Sequence, residues 1–79
     1  MNFSYNLLRK YLKRGHEVEF SYSDKEYSFS HNEEGWYITE YNNPDYQTFK
    51  TANDLLLNGK INGVSIENIW GDVVIDAIY

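Results

Sequence analysis

With 79 residues, 42% of them hydrophobic and 18% aromatic, the chain makes one domain near the lower end of what folds alone. It has no cysteine, which excludes disulfides and thiolate zinc sites, so the core must come from packing; the apolar content in turn excludes disorder. A net charge of −5 disfavours broad wrapping of nucleic acid and favours basic partners.

Residues 1–16 have no apolar h-region and no small-residue cleavage site, so they are not expected to act as a signal peptide, and the lack of cysteine fits a cytoplasmic protein. Asn2-Phe3-Ser4 has the form of an N-glycosylation site, which without secretion reads as chance. No stretch approaches the ~18 apolar residues of a membrane span. Phe3, Leu7, Leu8, Tyr11 and Leu12 recur on one face of a helix predicted over 3–14, with Gly15 as its stop. Arg9, Lys10, Lys13 and Arg14 cluster in its last turns, where the helix dipole favours cations. The rest of the chain carries all 12 acidic residues against Lys25, Lys50 and Lys60, an acidic body behind a short basic helix.

Next, HEVEFSY and EYSFSH alternate apolar and polar residues. A hairpin turning at Asp24-Lys25 sets Tyr22 against Tyr27, Phe20 against Phe29 and Val18 against His31. A loop at Asn32–Gly35 then sets Phe29 against Ile38 and His31 against Trp36. A further loop at Asn42–Asp45, where Pro44 cannot join a ladder, sets Ile38 against Phe49 and Tyr41 against Tyr46. The meander so formed turns Val18, Phe20, Tyr22, Tyr27, Phe29, Trp36, Ile38 and Phe49 to the core. Glu19, Ser21, Ser28, Ser30, Thr39 and Thr48 face the other way, with Tyr37, Tyr41 and Tyr46.

Thr51 with Asp54 resembles a capping box and opens a helix over 52–58 that buries Ala52, Leu55 and Leu56. Two Asn-Gly pairs in NGKING (58–63) mark turns. Ser65 caps a second short helix, 66–70, placing Ile66, Ile69 and Trp70 at i, i+3 and i+4, and the β-branched tail reads as a last strand over 73–78 at a sheet edge. The expected fold is a single α+β domain spanning 1–79, in the order αββββααβ, with its helices on one sheet face.

Candidate binding residues follow from that sorting. Tyr37, Tyr41 and Tyr46 form either a contact surface for a partner or aromatic pairs that stabilise an exposed sheet, and a C-terminal segment that covers them is a further alternative. Arg9, Lys10, Lys13 and Arg14 suit phosphates or an acidic partner; more simply, they are the solvated back of an amphipathic helix. His16 and His31 fall near one end of the first hairpin with Glu33 and Glu34, but without metal-ligand spacing, so no metal and no cofactor is expected. The acidic residues at 17, 19, 26, 33, 34, 40 and 45, with Glu67, Asp72 and Asp76, could mimic a phosphate track, although ordinary acidic surfaces look the same. No cysteine nucleophile, phosphate-binding glycine loop or GxSxG elbow is present, and no catalysis is expected.

The run from YQTFKTANDLL through INGVSIENIW resembles small uncharacterised α+β proteins of Gram-positive bacteria and their phages. It matches them at Thr48, Phe49, Leu55, Leu56, Ile66, Ile69 and Trp70. The resemblance covers about half the chain, and its positions are core-packing ones, so it implies architecture and a mobile-element origin. The expectation is a non-enzymatic protein-binding module, extending to a phage-type inhibitor of a host nucleic-acid-handling protein. The alternative is single-stranded nucleic acid or nucleotide binding, with bases on the tyrosines and phosphates on the basic helix, should the two lie adjacent.

Overall fold

The computed structural model describes residues 3–79. Helix α1 (Tyr5–Lys13) is shorter than the apolar spacing over 3–14 suggests. Ser4 sets its start: the hydroxyl accepts the Leu7 N–H at 3.1 Å as an N-cap, which leaves Phe3 outside the helix. Strands β1 (Val18–Tyr22), β2 (Lys25–Asn32), β3 (Gly35–Glu40) and β4 (Tyr46–Phe49) follow. Then come α2 (Ala52–Asn58), a small hairpin β5 (Lys60–Ile61) and β6 (Val64–Ser65), α3 (Ile66–Ile69), a 3-10 turn (Trp70–Asp72) and β7 (Val74–Ile78). The main sheet is antiparallel with five strands in the order β4-β3-β2-β1-β7, so the fold is α+β.

The middle hairpin pairs as the alternation predicts, Phe29 opposite Ile38 and His31 opposite Trp36. The other two differ from prediction by two residues. In the first, the turn residues are Ser23 and Asp24 rather than Asp24 and Lys25, and both take positive φ (53° and 63°), as a type I′ turn requires. Val18 then faces Phe29 instead of His31, and Phe20 faces Tyr27, so every inward residue of β1 gains an apolar or aromatic partner except Tyr22, which faces Lys25. In the third hairpin Trp36 faces Phe49 and Thr39 faces Tyr46. Tyr41 has left the strand and donates its backbone N–H to the Glu26 carbonyl at 2.9 Å, so it does not pair with Tyr46. Because side chains alternate with period two, a shift of two leaves each residue on its predicted face.

The hairpin β5–β6 is an addition to the predicted order. Its turn is Asn62-Gly63, at φ 55° and 76°. The other Asn-Gly pair is no such turn: Gly59 follows α2 at φ −65° and is buried. Thr51 and Ser65 cap α2 and α3 as expected, accepting from the Asp54 and Asn68 N–H groups. The Asp54 carboxylate reaches the Lys50 N–H rather than closing a reciprocal box on Thr51. Helix α3 stops at Ile69, with the chain tightening into the 3-10 turn.

Val18, Phe20, Tyr27, Phe29 and Ile38 are buried on the inner sheet face, with Tyr22, Trp36 and Phe49 packed at the margin. They share one cluster with Leu8 and Leu12 of α1, Leu55 and Leu56 of α2, and Ile66 and Ile69 of α3, so all three helices lie on this side. Trp70 sits among the rings of Phe3, Phe20 and Phe29, at centroid distances of 5.9, 5.3 and 6.0 Å.

Three tyrosines hold their protons more tightly than usual. Burial and then Glu67 raise the pKa of Tyr5, partly offset by Arg9; burial and then Glu40 raise that of Tyr27; a hydrogen bond to Glu19 raises that of Tyr79. Each keeps its proton in the folded state where the unfolded chain releases it. Their contribution to stability is therefore present below the unfolded value of about 10 and is lost as pH rises above it. Urea midpoints are expected to fall above that pH. Tyr27→Phe should flatten the fall, because it removes one of the three hydroxyls whose proton release above that pH opposes folding.

Candidate functional site

The outer face of the sheet carries no covering element among the described residues, and none of its side chains is buried. Alternation along β2, β3 and β4 sends Ser28, Ser30, Tyr37, Thr39, Tyr46 and Thr48 outward. Tyr37 and Tyr46 meet edge to face, with centroids 5.8 Å apart and planes at 68°, and the Tyr37 hydroxyl donates to Asn32 Oδ1 at 3.0 Å. Tyr46 is 61% exposed and Tyr41 70% exposed, so these two rings project into solvent while Tyr37 is half-buried.

Tyr41 stands apart from that pair. It borders a shallow cleft of about 350 Å³ together with Glu19, Glu26 and Asp76, which Ser28 and Thr39 also line. The hydroxyls of Ser28 and Thr39 satisfy each other at 2.6 Å. Asp76 reaches this side through an irregularity: the β1–β7 register shifts between Glu19 and Phe20, leaving Asp76 as the extra residue. Its carboxylate accepts the Ser21 hydroxyl at 2.7 Å. Beyond the bulge, the Tyr79 hydroxyl donates to Glu19 Oε1 at 2.9 Å and adds a fourth tyrosine to the face, 65% exposed. Sequence reasoning missed Tyr79 and the gathering of Glu19, Glu26 and Asp76. The one signal for the latter was Asp76 interrupting an otherwise apolar tail.

Two of the seven basic residues border this face: Lys25 lines a groove with Ser21, Glu26, Glu40 and Tyr41, and Lys60 lines another with Tyr46. Arg9, Lys10, Lys13 and Arg14 are exposed on α1, whose buried side packs into the opposite layer. Lys25 pairs with Glu40 at 3.9 Å, Lys50 follows β4 and lines a groove with Lys13, His31 and Trp36, and Lys60 belongs to β5. The tyrosines and the basic cluster, both candidate binding groups, thus occupy opposite layers. The outer face carries more carboxylates than cations, with Glu19, Glu26 and Asp76 set against Lys25 at its margin.

Both histidine rings donate to backbone carbonyls: His16 Nδ1–H to Tyr79 at 3.0 Å and His31 Nε2–H to Gly15 at 2.8 Å. The His31 ring also packs on Trp36, with centroids 4.4 Å apart, and the His31 backbone N–H donates to the Glu17 carboxylate. The two rings tie the α1–β1 connection to the C-terminus and to β2. Among the described residues no group of three His, Asp or Glu side chains is placed to hold a metal ion, and no helix is long and apolar enough to cross a membrane. No family model matches the chain, and comparison with curated proteins and with solved structures finds no match.

Proposed function

We propose that this protein is a non-enzymatic binding module whose outer sheet face docks a basic surface of another protein. The observation that carries the reading is one face, uncovered among the described residues, that holds Tyr37, Tyr41 and Tyr46 with Glu19, Glu26 and Asp76, and has only Lys25 and Lys60 at its margins. Tyrosine rings give rigid amphipathic contact area, and the carboxylates steer and select a cationic partner. Proteins that handle nucleic acid present basic grooves for phosphates. An acidic face agrees with a mobile-element inhibitor of such a host protein, acting in the cytoplasm and without a cofactor. Stacking of single-stranded nucleic acid on the tyrosines needs a run of cations beside them, whereas the cluster on α1 lies on the other layer and only Lys25 and Lys60 border the tyrosines.

Replacement of Tyr37, Tyr41 and Tyr46 together by serine is the test. The rings are exposed or half-buried, so the variant should fold, losing about 1 kcal/mol with the Tyr37–Tyr46 pair. Capture of the partner from host lysate, followed by mass spectrometry, is expected to fall at least about tenfold, equivalent to ~1.4 kcal/mol. Unchanged capture removes the tyrosines from the interface. Uptake of a labelled single-stranded oligonucleotide in preference to an arginine-rich peptide overturns the protein-docking reading.

A further inference from the structure

Asn58 and Asn62 are the two asparagines that precede a glycine, and the fold gives them different surroundings. In such a pair the glycine nitrogen, with no side chain on its Cα to crowd the approach, can bond to the asparagine Cγ. The peptide N–H gives up its proton and the side-chain amide leaves as ammonia, closing a succinimide. Water then opens the ring at either carbonyl, giving aspartate or isoaspartate, whose main chain runs through the Cβ; no oxidant or reductant is needed. At Asn58 the fold opposes this attack. Asn58 is the last residue of α2, and its Nδ2 donates to Asp54 Oδ1 at 2.6 Å. The Gly59 N–H, which would become the nucleophile, donates to the Leu55 carbonyl at 2.8 Å, and Gly59 is buried against Ile38. Cyclisation there needs the end of α2 unwound and Gly59 drawn out of the core.

We infer that Asn62 is a site of spontaneous deamidation in the folded protein, and that the fold keeps Asn58 from the same fate. Asn62 is exposed, and its side-chain amide hydrogen-bonds to no other described residue. Gly63 is exposed too, with nothing within 4 Å of where a Cβ would stand. The turn they form joins strands of two residues each, so opening it disturbs little beyond the Ile61–Val64 pair. So short a ladder opens at far lower cost than the core around Gly59. The two products act differently. Asp-Gly suits this turn as Asn-Gly does, so aspartate leaves the hairpin standing. It adds a carboxylate to the groove that residue 62 shares with Lys60, Glu40, Asp45 and Tyr46. Isoaspartate lengthens the main chain inside a two-residue turn and breaks the register of β5 and β6. Ile61, 3% exposed, then loses its seat, and Gln47 loses its bonds to the Lys60 carbonyl and N–H at 2.6 and 3.2 Å. The site stands independently of the docking face.

The test is to age the full chain in mildly alkaline buffer, once folded and once unfolded in guanidinium chloride. Peptide mapping by mass spectrometry follows each asparagine, and enzymatic methylation counts isoaspartate. In the folded chain Asn62 should convert at least about tenfold faster than Asn58, the ratio given by a difference of ~1.4 kcal/mol in the cost of local opening. In the unfolded chain the two rates should come together, since both sites are then Asn-Gly in an open backbone. An Asn62 that stays intact in the folded chain while converting in the unfolded one overturns the inference, as does an Asn58 that keeps pace with it in the folded chain. Stability separates the two products. Asn62→Asp should unfold at the wild-type denaturant midpoint, and aged chain enriched in isoaspartate at a lower one. A lowered midpoint for Asn62→Asp, or an unchanged one for the isoaspartate form, overturns the effects assigned to the products.

Discussion

Replacing Trp70 by alanine is expected to cost about 3–5 kcal/mol, most of the stability of a domain this small. At roughly 0.05–0.15 kcal/mol per residue, 79 residues amount to about 4–12 kcal/mol in total. Trp70 is 5% exposed and touches three other rings, from the N-terminal segment, β1 and β2. Its Nε1–H also donates to the Phe3 carbonyl at 2.9 Å. The indole thus ties the segment before α1 to the sheet and to the turn after α3. Trp70→Phe should keep most of the packing but lose that donor, costing about 1–2 kcal/mol by leaving a part-buried carbonyl unpaired. Urea unfolding followed by far-UV circular dichroism separates the two. A Trp70→Ala chain as stable as wild type would show that these contacts do not hold the layers together.

The second large effect is expected at Gly35, the first residue of β3, which stands at φ +150°. A Cβ there would come within 2.3 Å of the Phe49 carbonyl oxygen, and backbone cannot swing aside as a flexible side chain can. Gly35→Ala should therefore strain the backbone or push β4 off its ladder, at about 2–4 kcal/mol. Gly71→Ala is the control, because a Cβ at Gly71 meets nothing within 4 Å. It is expected to leave the unfolding midpoint unchanged or raise it slightly, by up to about 1 kcal/mol. Equal losses at both positions would rule out the clash with Phe49 as the cause. Displacement of β4 also predicts a change at the docking face, since Tyr46 rides on that strand.

The separation of sheet faces was legible in the sequence because it depends only on parity. Two of the three hairpin registers differ from the alternation-based pairing by two residues, yet Phe20, Phe29 and Ile38 are inward and Tyr37 and Tyr46 outward all the same. The register itself was not legible. Ser23-Asp24 and Asp24-Lys25 both bridge the same alternating runs, and the choice between them follows from which pair tolerates positive φ and which register gives Val18 an apolar partner. Caps were legible from Ser and Thr ahead of apolar runs, since their hydrogen bonds span only three residues.

By itself, then, the chain's pattern of residues determined the α+β class, the helix caps, the inward and outward sets of the sheet, and the clustering of four cations on one short helix. Those properties are local, set by periods of two and 3.6 residues and by contacts a few positions apart. Tertiary structure alone decided that no element among the described residues covers Tyr37, Tyr41 and Tyr46, and that the basic helix lies on the other side of the core from them. It also decided that a bulge beside Phe20 brings Asp76 and Tyr79 to Glu19. Each of these joins residues distant in the chain, Glu19 to Tyr79 for one, and depends on which edge of the sheet the last strand takes and where its pairing slips. Local periodicity carries no information about either.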